Sequence, residues 1–132
     1  MLPRRREPDA AGRCRGRDEG LDELSLAGGN EMAEVIGGEV RMKRVHAEEA
    51  NLSTATIEAI RGGDPHHNAA ALRRLLQGEH GPYRDAVLFN AAGALLVAGE
   101  VESWTEGAEE AAEAIDKGLA KALLDCWIAA AK

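Results

Sequence analysis

One stretch governs what this chain can fold into. From Ala86 to Ala98 the sequence AVLFNAAGALLVA is apolar on nearly every side of a helix. A helix with no polar face has to be surrounded, so the spacing predicts a helix from Pro82 to Gly99, buried on most sides. Asn90 and Gly93 interrupt the apolar run. A buried asparagine needs hydrogen-bond partners. A glycine inside a helix costs about 1 kcal/mol relative to alanine, which close approach of another backbone would justify.

The flanking sequence supplies further helices. Asp64 is a plausible N-cap with Pro65 at the first helical position, and Gly78 a stop, so a helix is expected from Asp64 to Gln77. Its apolar stripe is Ala69, Leu72, Leu75 and Leu76. Ser103-Trp104-Thr105-Glu106 has the form of a capping box. The helix behind it carries Ala108, Ala111, Ala112 and Ile115 on its inner face. Asp116-Lys117-Gly118 should interrupt that helix, which resumes from Leu119 to Ala131 with Leu123, Leu124 and Trp127 inside. Thr54 to Ile60 reads as a short helical turn. Upstream, Met32, Val35 and Ile36 lead into Gly37-Gly38, with Val40, Met42 and Val45 beyond. Two glycines suit a tight hairpin turn, and the alternation of Val40 and Met42 with Arg41 and Lys43 suggests one buried and one wet face. The expectation is one compact unit: a mostly α-helical body of three to four helices with a β-hairpin.

Charge divides the chain. Residues 1–17 hold six arginines against Glu7 and Asp9, a balance of +4. The other residues hold ten lysines and arginines against twenty-one acids, −11, which together make the net −7. An acidic body argues against a nucleic-acid surface. The basic arm, residues 1–17, shows neither helical nor strand periodicity and is expected to be disordered. No apolar run is long enough for a transmembrane helix, and no apolar segment follows the basic N-terminus as in a secretory signal, so a cytoplasmic location is expected. Cys14 and Cys126 have no metal-site spacing.

Candidate chemistry is sparse. Asp22-Glu23, with Asp18 and Glu19 nearby, is the most suggestive polar cluster. Adjacent carboxylates on a turn can hold a hard cation such as magnesium, which keeps several waters and shares one or two carboxylates with substrate phosphates. The same pattern also marks exposed turns. Gly62-Gly63-Asp64 before a helix resembles a phosphate loop, but Asp64 would repel the anion and reads better as a cap. His66 and His67 project about 100° apart on a helix and cannot easily share a metal. No nucleophile elbow is present.

Three segments together resemble one family, in its order. GLDELSLAG resembles the Asp-Gly-Leu-Asp-Glu region of anthranilate phosphoribosyltransferases. RGGDPHHNAAALRRLLQGEHGPYRDAVLFNAAGALLVAG resembles that family's Gly-Gly-Asp…Asn-Ala helix, Leu-x-Gly turn and Arg-Asp-x-Val-x-x-Asn-Ala helix. WTEGAEEAAEAIDKGLAKALLD resembles its closing Ile-Asp-x-Gly segment. The resemblance covers residues 18–130. It implies an α/β family fragment, with residues 18–132 as the C-terminal part of the α/β domain. It also implies phosphoribosyl transfer from phosphoribosyl pyrophosphate to anthranilate in tryptophan biosynthesis, with Mg2+ held by Asp22 and Glu23. By the same resemblance Asn68, Asn90 and the matched glycines are buried polar knots and close helix contacts.

The departures from the family are as informative. Its Gly-Thr-Gly-Gly-Asp loop, Lys-x-Gly-Asn segment and anthranilate-binding arginine region are missing, so no catalytic or substrate-binding residue is carried over. Where the family has a hydrophobic strand ending in His-Gly, this chain reads AAGRCRGRDEG. Residues 1–17 are therefore expected to be foreign to the family, and the chain inactive alone. A pyrimidine nucleoside phosphorylase-like protein and a non-catalytic helical interaction module are the alternatives. Val87, Leu88, Leu95, Leu96 and Val97 cannot all be covered by the remaining helices, and large apolar patches drive association. The chain expressed alone should self-associate; a monodisperse monomer in analytical ultracentrifugation would contradict this.

Overall fold

The computed structural model describes residues 10–16 and 21–131. Three strands form an antiparallel sheet in the order β1 (Ala10–Gly16), β2 (Asn30–Ile36), β3 (Glu39–Val45). Four helices follow: α1 (Pro65–Leu76), α2 (Pro82–Ala98), α3 (Trp104–Asp116) and α4 (Leu119–Ala130). Single 3-10 turns at Ala47–Ala50 and Ile57–Ile60 join the sheet to the helices.

Local chemistry sets the boundaries. Gly37 and Gly38 both have positive φ, 57° and 83°, which is what a two-residue hairpin turn matched to strand twist requires. The turn fixes the register Ile36↔Glu39 through Asn30↔Val45. The Asp64 carboxylate accepts from the His67 N–H at 2.8 Å and so caps α1. α2 ends at Gly99, where Gly99 N–H bonds Leu96 O and Glu100 N–H bonds Leu95 O, the paired bonds of a Schellman close. Ser103 Oγ accepts from Glu106 N–H at 3.2 Å, and the Glu106 carboxylate accepts from Glu102 N–H at 2.8 Å. The capping box therefore closes one residue further back than its usual form.

The core lies between α2, α3 and the segment before β2. Phe89, fully buried, stands at its centre with Leu24, Leu26, Val45, Ala92, Ala108 and Ile115. Its ring meets Trp104 at 5.3 Å between centroids, tilted by 51°. A methyl placed on Gly107 would stand 2.8 Å from Ala92 Cα, so α2 and α3 touch backbone to backbone there. Arg84, 3% exposed, donates both terminal nitrogens to Asp116, each at 2.8 Å. This fork ties the start of α2 to the end of α3. The bonded guanidinium holds the Asp116 carboxyl below the ordinary aspartate range. Its contribution to stability is therefore complete above that range and disappears as pH falls through the lowered value.

Several expectations change. Residues 10–16 of the basic arm form a strand, because pairing with β2 uses backbone groups and needs no side-chain periodicity. Residues 1–9 and 17 lie outside the described residues. On β3, Val40 and Met42 are 64% and 65% exposed: no layer among the described residues covers either face before Val45. In α4, Leu123 and Trp127 are each 72% exposed and Leu124 is half-buried, for no described element packs on that face. On α2, Leu88 is buried while Val87, Leu95, Leu96 and Val97 remain half-covered, as the shortage of partners requires. Close backbone approach occurs at Gly107, not at Gly93, where Leu24 and Trp104 side chains would meet the added carbon at 3.3 Å.

The Gly107–Ala92 contact leaves no room for a side chain backed by main chain. Gly107→Ala should cost about 1–3 kcal/mol, read as a lower urea midpoint with an unchanged slope.

Candidate metal centre

The segment Leu21 to Gly29 runs from the exposed carboxylates into the core. Asp22 and Glu23 are exposed, and Leu24, Ser25 and Leu26 are buried directly behind them. Two asparagine side chains satisfy the backbone of Leu24 and Ser25, and the Leu26 carbonyl accepts from Ala55 N–H at 3.3 Å. Asn90 Oδ1 accepts from Leu24 N–H at 2.9 Å, while Asn90 Nδ2 donates to Leu24 O at 3.0 Å and to Ala86 O at 2.9 Å. Asn30 does the same for the next residue. Its Oδ1 accepts from Ser25 N–H at 2.7 Å, and its Nδ2 lies 3.0 Å from Ser25 O and 3.2 Å from Val45 O. A carboxamide presents a donor and an acceptor at the spacing of a peptide group, so each asparagine behaves as a one-residue neighbouring strand.

The two residues that break the apolar run of α2 therefore serve one purpose. Asn90 holds the Leu24 backbone, and Gly93, three positions on and on the same face, admits the Leu24 side chain. Asn68 makes the same two-point clasp on Gly63, accepting at 2.8 Å and donating at 3.0 Å. That knot is exposed, not buried as expected, because it closes a loop at the protein surface.

Asp22 and Glu23 thus stand as adjacent carboxylates at the mouth of a pinned segment. Among the described residues no group of three histidine, cysteine or acidic side chains is placed to hold a metal. Two carboxylates alone suit magnesium, which fills its octahedron with water and phosphate oxygens, and do not suit zinc. Asp18 and Glu19 lie outside the described residues. His67 packs over Gly63 in the first turn of α1, and Asp64 caps that helix, so neither the histidine pair nor the glycine loop forms a site. Cys126 is an exposed thiol. Asn30 was not visible in sequence as a functional support, since an asparagine after Gly28-Gly29 reads simply as a turn residue. A cavity of about 530 Å³ lies elsewhere, between α1 and the α1–α2 turn. Three arginines on its wall are engaged, Arg61 with Glu58, Arg74 with Glu79 and Arg84 with Asp116.

The fold belongs to a defined class. The model of the glycosyl transferase family, a/b domain, matches residues 15–121, and the chain belongs to that family. The individual relatives carry a narrower name. The anthranilate phosphoribosyltransferase of Novosphingobium aromaticivorans is 71% identical over 113 residues, 86% of this chain and 34% of the relative. That of Sphingopyxis alaskensis is 69% identical over 112 residues, 85% of this chain and 34% of the relative. The crystal structure of anthranilate phosphoribosyltransferase from Thermus thermophilus superposes with a TM-score of 0.81 at 39% identity, over 91% of this chain and 35% of that one. The chain spans about a third of the length of the relatives it matches. Among the described residues no helix is long and apolar enough to cross a membrane.

Removing the Asn30 side chain would take hydrogen bonds from the buried Ser25 N–H and carbonyl. Asn30→Ala should cost about 1–3 kcal/mol, measured by denaturant unfolding.

Proposed function

We propose that this chain is the C-terminal part of the α/β domain of an anthranilate phosphoribosyltransferase, and that Asp22 and Glu23 hold the magnesium ion of the reaction. The observation that carries the reading is the exposed acidic pair at the head of a backbone pinned by Asn90 and Asn30. Relatives of that name at 71% and 69% identity support it, as does a likeness in fold to the yeast enzyme solved in complex with PRPP and Mg. Residues 18–132 then form the C-terminal part of that domain; the family match reaches back to Arg15, so any foreign sequence in the basic arm lies before it.

In this reading the substrates are phosphoribosyl pyrophosphate and anthranilate. Magnesium, when bound, supplies Lewis-acid stabilisation of the departing pyrophosphate. The chain's own part is to present two fixed negative charges facing solvent, where a hydrated cation bearing phosphates can reach them. Holding the pair still in advance avoids ordering it at the moment of binding. In this reading no side chain among the described residues acts as a nucleophile or a base for the transfer. The remaining contacts to sugar, pyrophosphate and anthranilate come from the part of the relatives' length outside this match.

A second reading is favoured by one observation. Leu119, Leu123, Trp127 and Ile128 expose an apolar stripe along α4, as a non-catalytic helical module would. Mixing experiments separate the two. Combined with the separately expressed preceding portion of the Novosphingobium relative, the chain should restore turnover of both substrates. Asp22→Asn with Glu23→Gln should lower that turnover at least a hundredfold. Turnover by the chain alone, or a mixture that forms a complex yet stays inactive, would contradict the proposal.

A further inference from the structure

We infer that Asn90 and Asn30 are positioning residues for the cation-holding pair, acting on Asp22 and Glu23 through the backbone of Leu24 and Ser25. The inference rests on the metal reading above and adds what makes the pair a site. Neighbouring carboxylates on a free loop sample many orientations and repel each other; a cation gains little from them until the chain is fixed. Here the fixing starts one residue away. Leu24 is gripped at its N–H and its carbonyl by Asn90, and Ser25 at the same two groups by Asn30. The two grips come from separate elements, α2 and β2, and fall on consecutive residues. Together they remove both rotation and sliding of the backbone that leads out to Glu23.

The clamp is itself anchored. Asn90 is held to its own helix by the bond from Nδ2 to Ala86 O, and Asn30 is tied to β3 through Val45 O. Leu24 packs its side chain over Gly93, so the same turn of α2 holds main chain and side chain together. Ser25 Oγ accepts from Ala27 N–H at 3.0 Å and shapes the return of the loop. The carboxylates face solvent at the end of this scaffold, with nothing in the clamp touching them directly.

The experiment titrates Mn2+ alone, as a paramagnetic substitute for magnesium, into the isotopically labelled full chain and follows NMR line broadening. Saturable broadening centred on residues 22–24 is expected, with an apparent affinity weakened at least fivefold by Asn90→Ala. One control should stay within twofold of the parent. Asn68→Ala removes the same clasp at Gly63 without touching the clamp on Leu24 and Ser25; circular dichroism establishes that each variant is folded. Parental Mn2+ affinity in folded Asn90→Ala overturns the positioning role and leaves the metal reading standing. No broadening near residues 22–24 in the parent overturns the metal reading, and this inference with it. Should Asn90→Ala fail to fold, hydrogen exchange in the parent decides. Leu24 and Ser25 amides should exchange at least a hundredfold more slowly than those of Asp22 and Glu23, and equal rates overturn the clamp.

Discussion

The amide of Asn90 is the point on which this structure turns. α2 has to be enclosed, because from Ala86 to Ala98 it offers water no polar face, and one of the segments that encloses it is the irregular stretch from Leu24 to Leu26. Burying such a stretch against a purely apolar helix would leave an N–H and a carbonyl unsatisfied at each turn. Asn90 places a peptide-like group within the helix surface and resolves the conflict at Leu24. Asn30 does so one residue later from the sheet side. Core formation and the presentation of Asp22 and Glu23 are therefore a single event: the residues that bury Leu24 and Leu26 also fix where the acids emerge.

Much of this was legible in the sequence, for identifiable reasons. Helix ends were readable because caps are local chemistry: Asp64 with Pro65, Ser103 with Glu106, Gly78 and Gly99 all act within a few residues. The hairpin was readable because Gly37-Gly38 permits little else. Asn90 was recognisable as a group in need of a partner, yet its partner stands sixty-six positions away and carries no signal in its own side chain. A leucine backbone looks like any other. Asn30 was invisible for the same reason. Asp22 and Glu23 stood out as a polar cluster, and the resemblance implied a metal for them; neither indicated which side chains hold the backbone behind them.

The misjudged faces share one cause. Periodicity reports which side of an element is apolar, not whether something is present to cover it. Val40 and Met42 on β3 and Leu123 and Trp127 on α4 follow the pattern of buried residues and are exposed in this chain. The relatives are about three times as long as the segment matched here. Among the described residues, four helices with a three-stranded sheet cover only the part of the apolar pattern nearest Phe89. β1 shows the converse: a strand with no apolar alternation, held by its backbone pairing along β2.

The fork between Arg84 and Asp116 works as a vernier on the helical pair. A guanidinium accepts a carboxylate edge-on in one alignment, and sliding α3 by a single residue, about 1.5 Å, would spoil both bonds at once. The contact of Gly107 on Ala92 resists the same slip, because a shift by one residue would bring a side chain to a place with no room for it. The charged pair and that contact thus set the axial registration of α2 together, and the reading of that scale reaches Leu24 through a helix that cannot stretch.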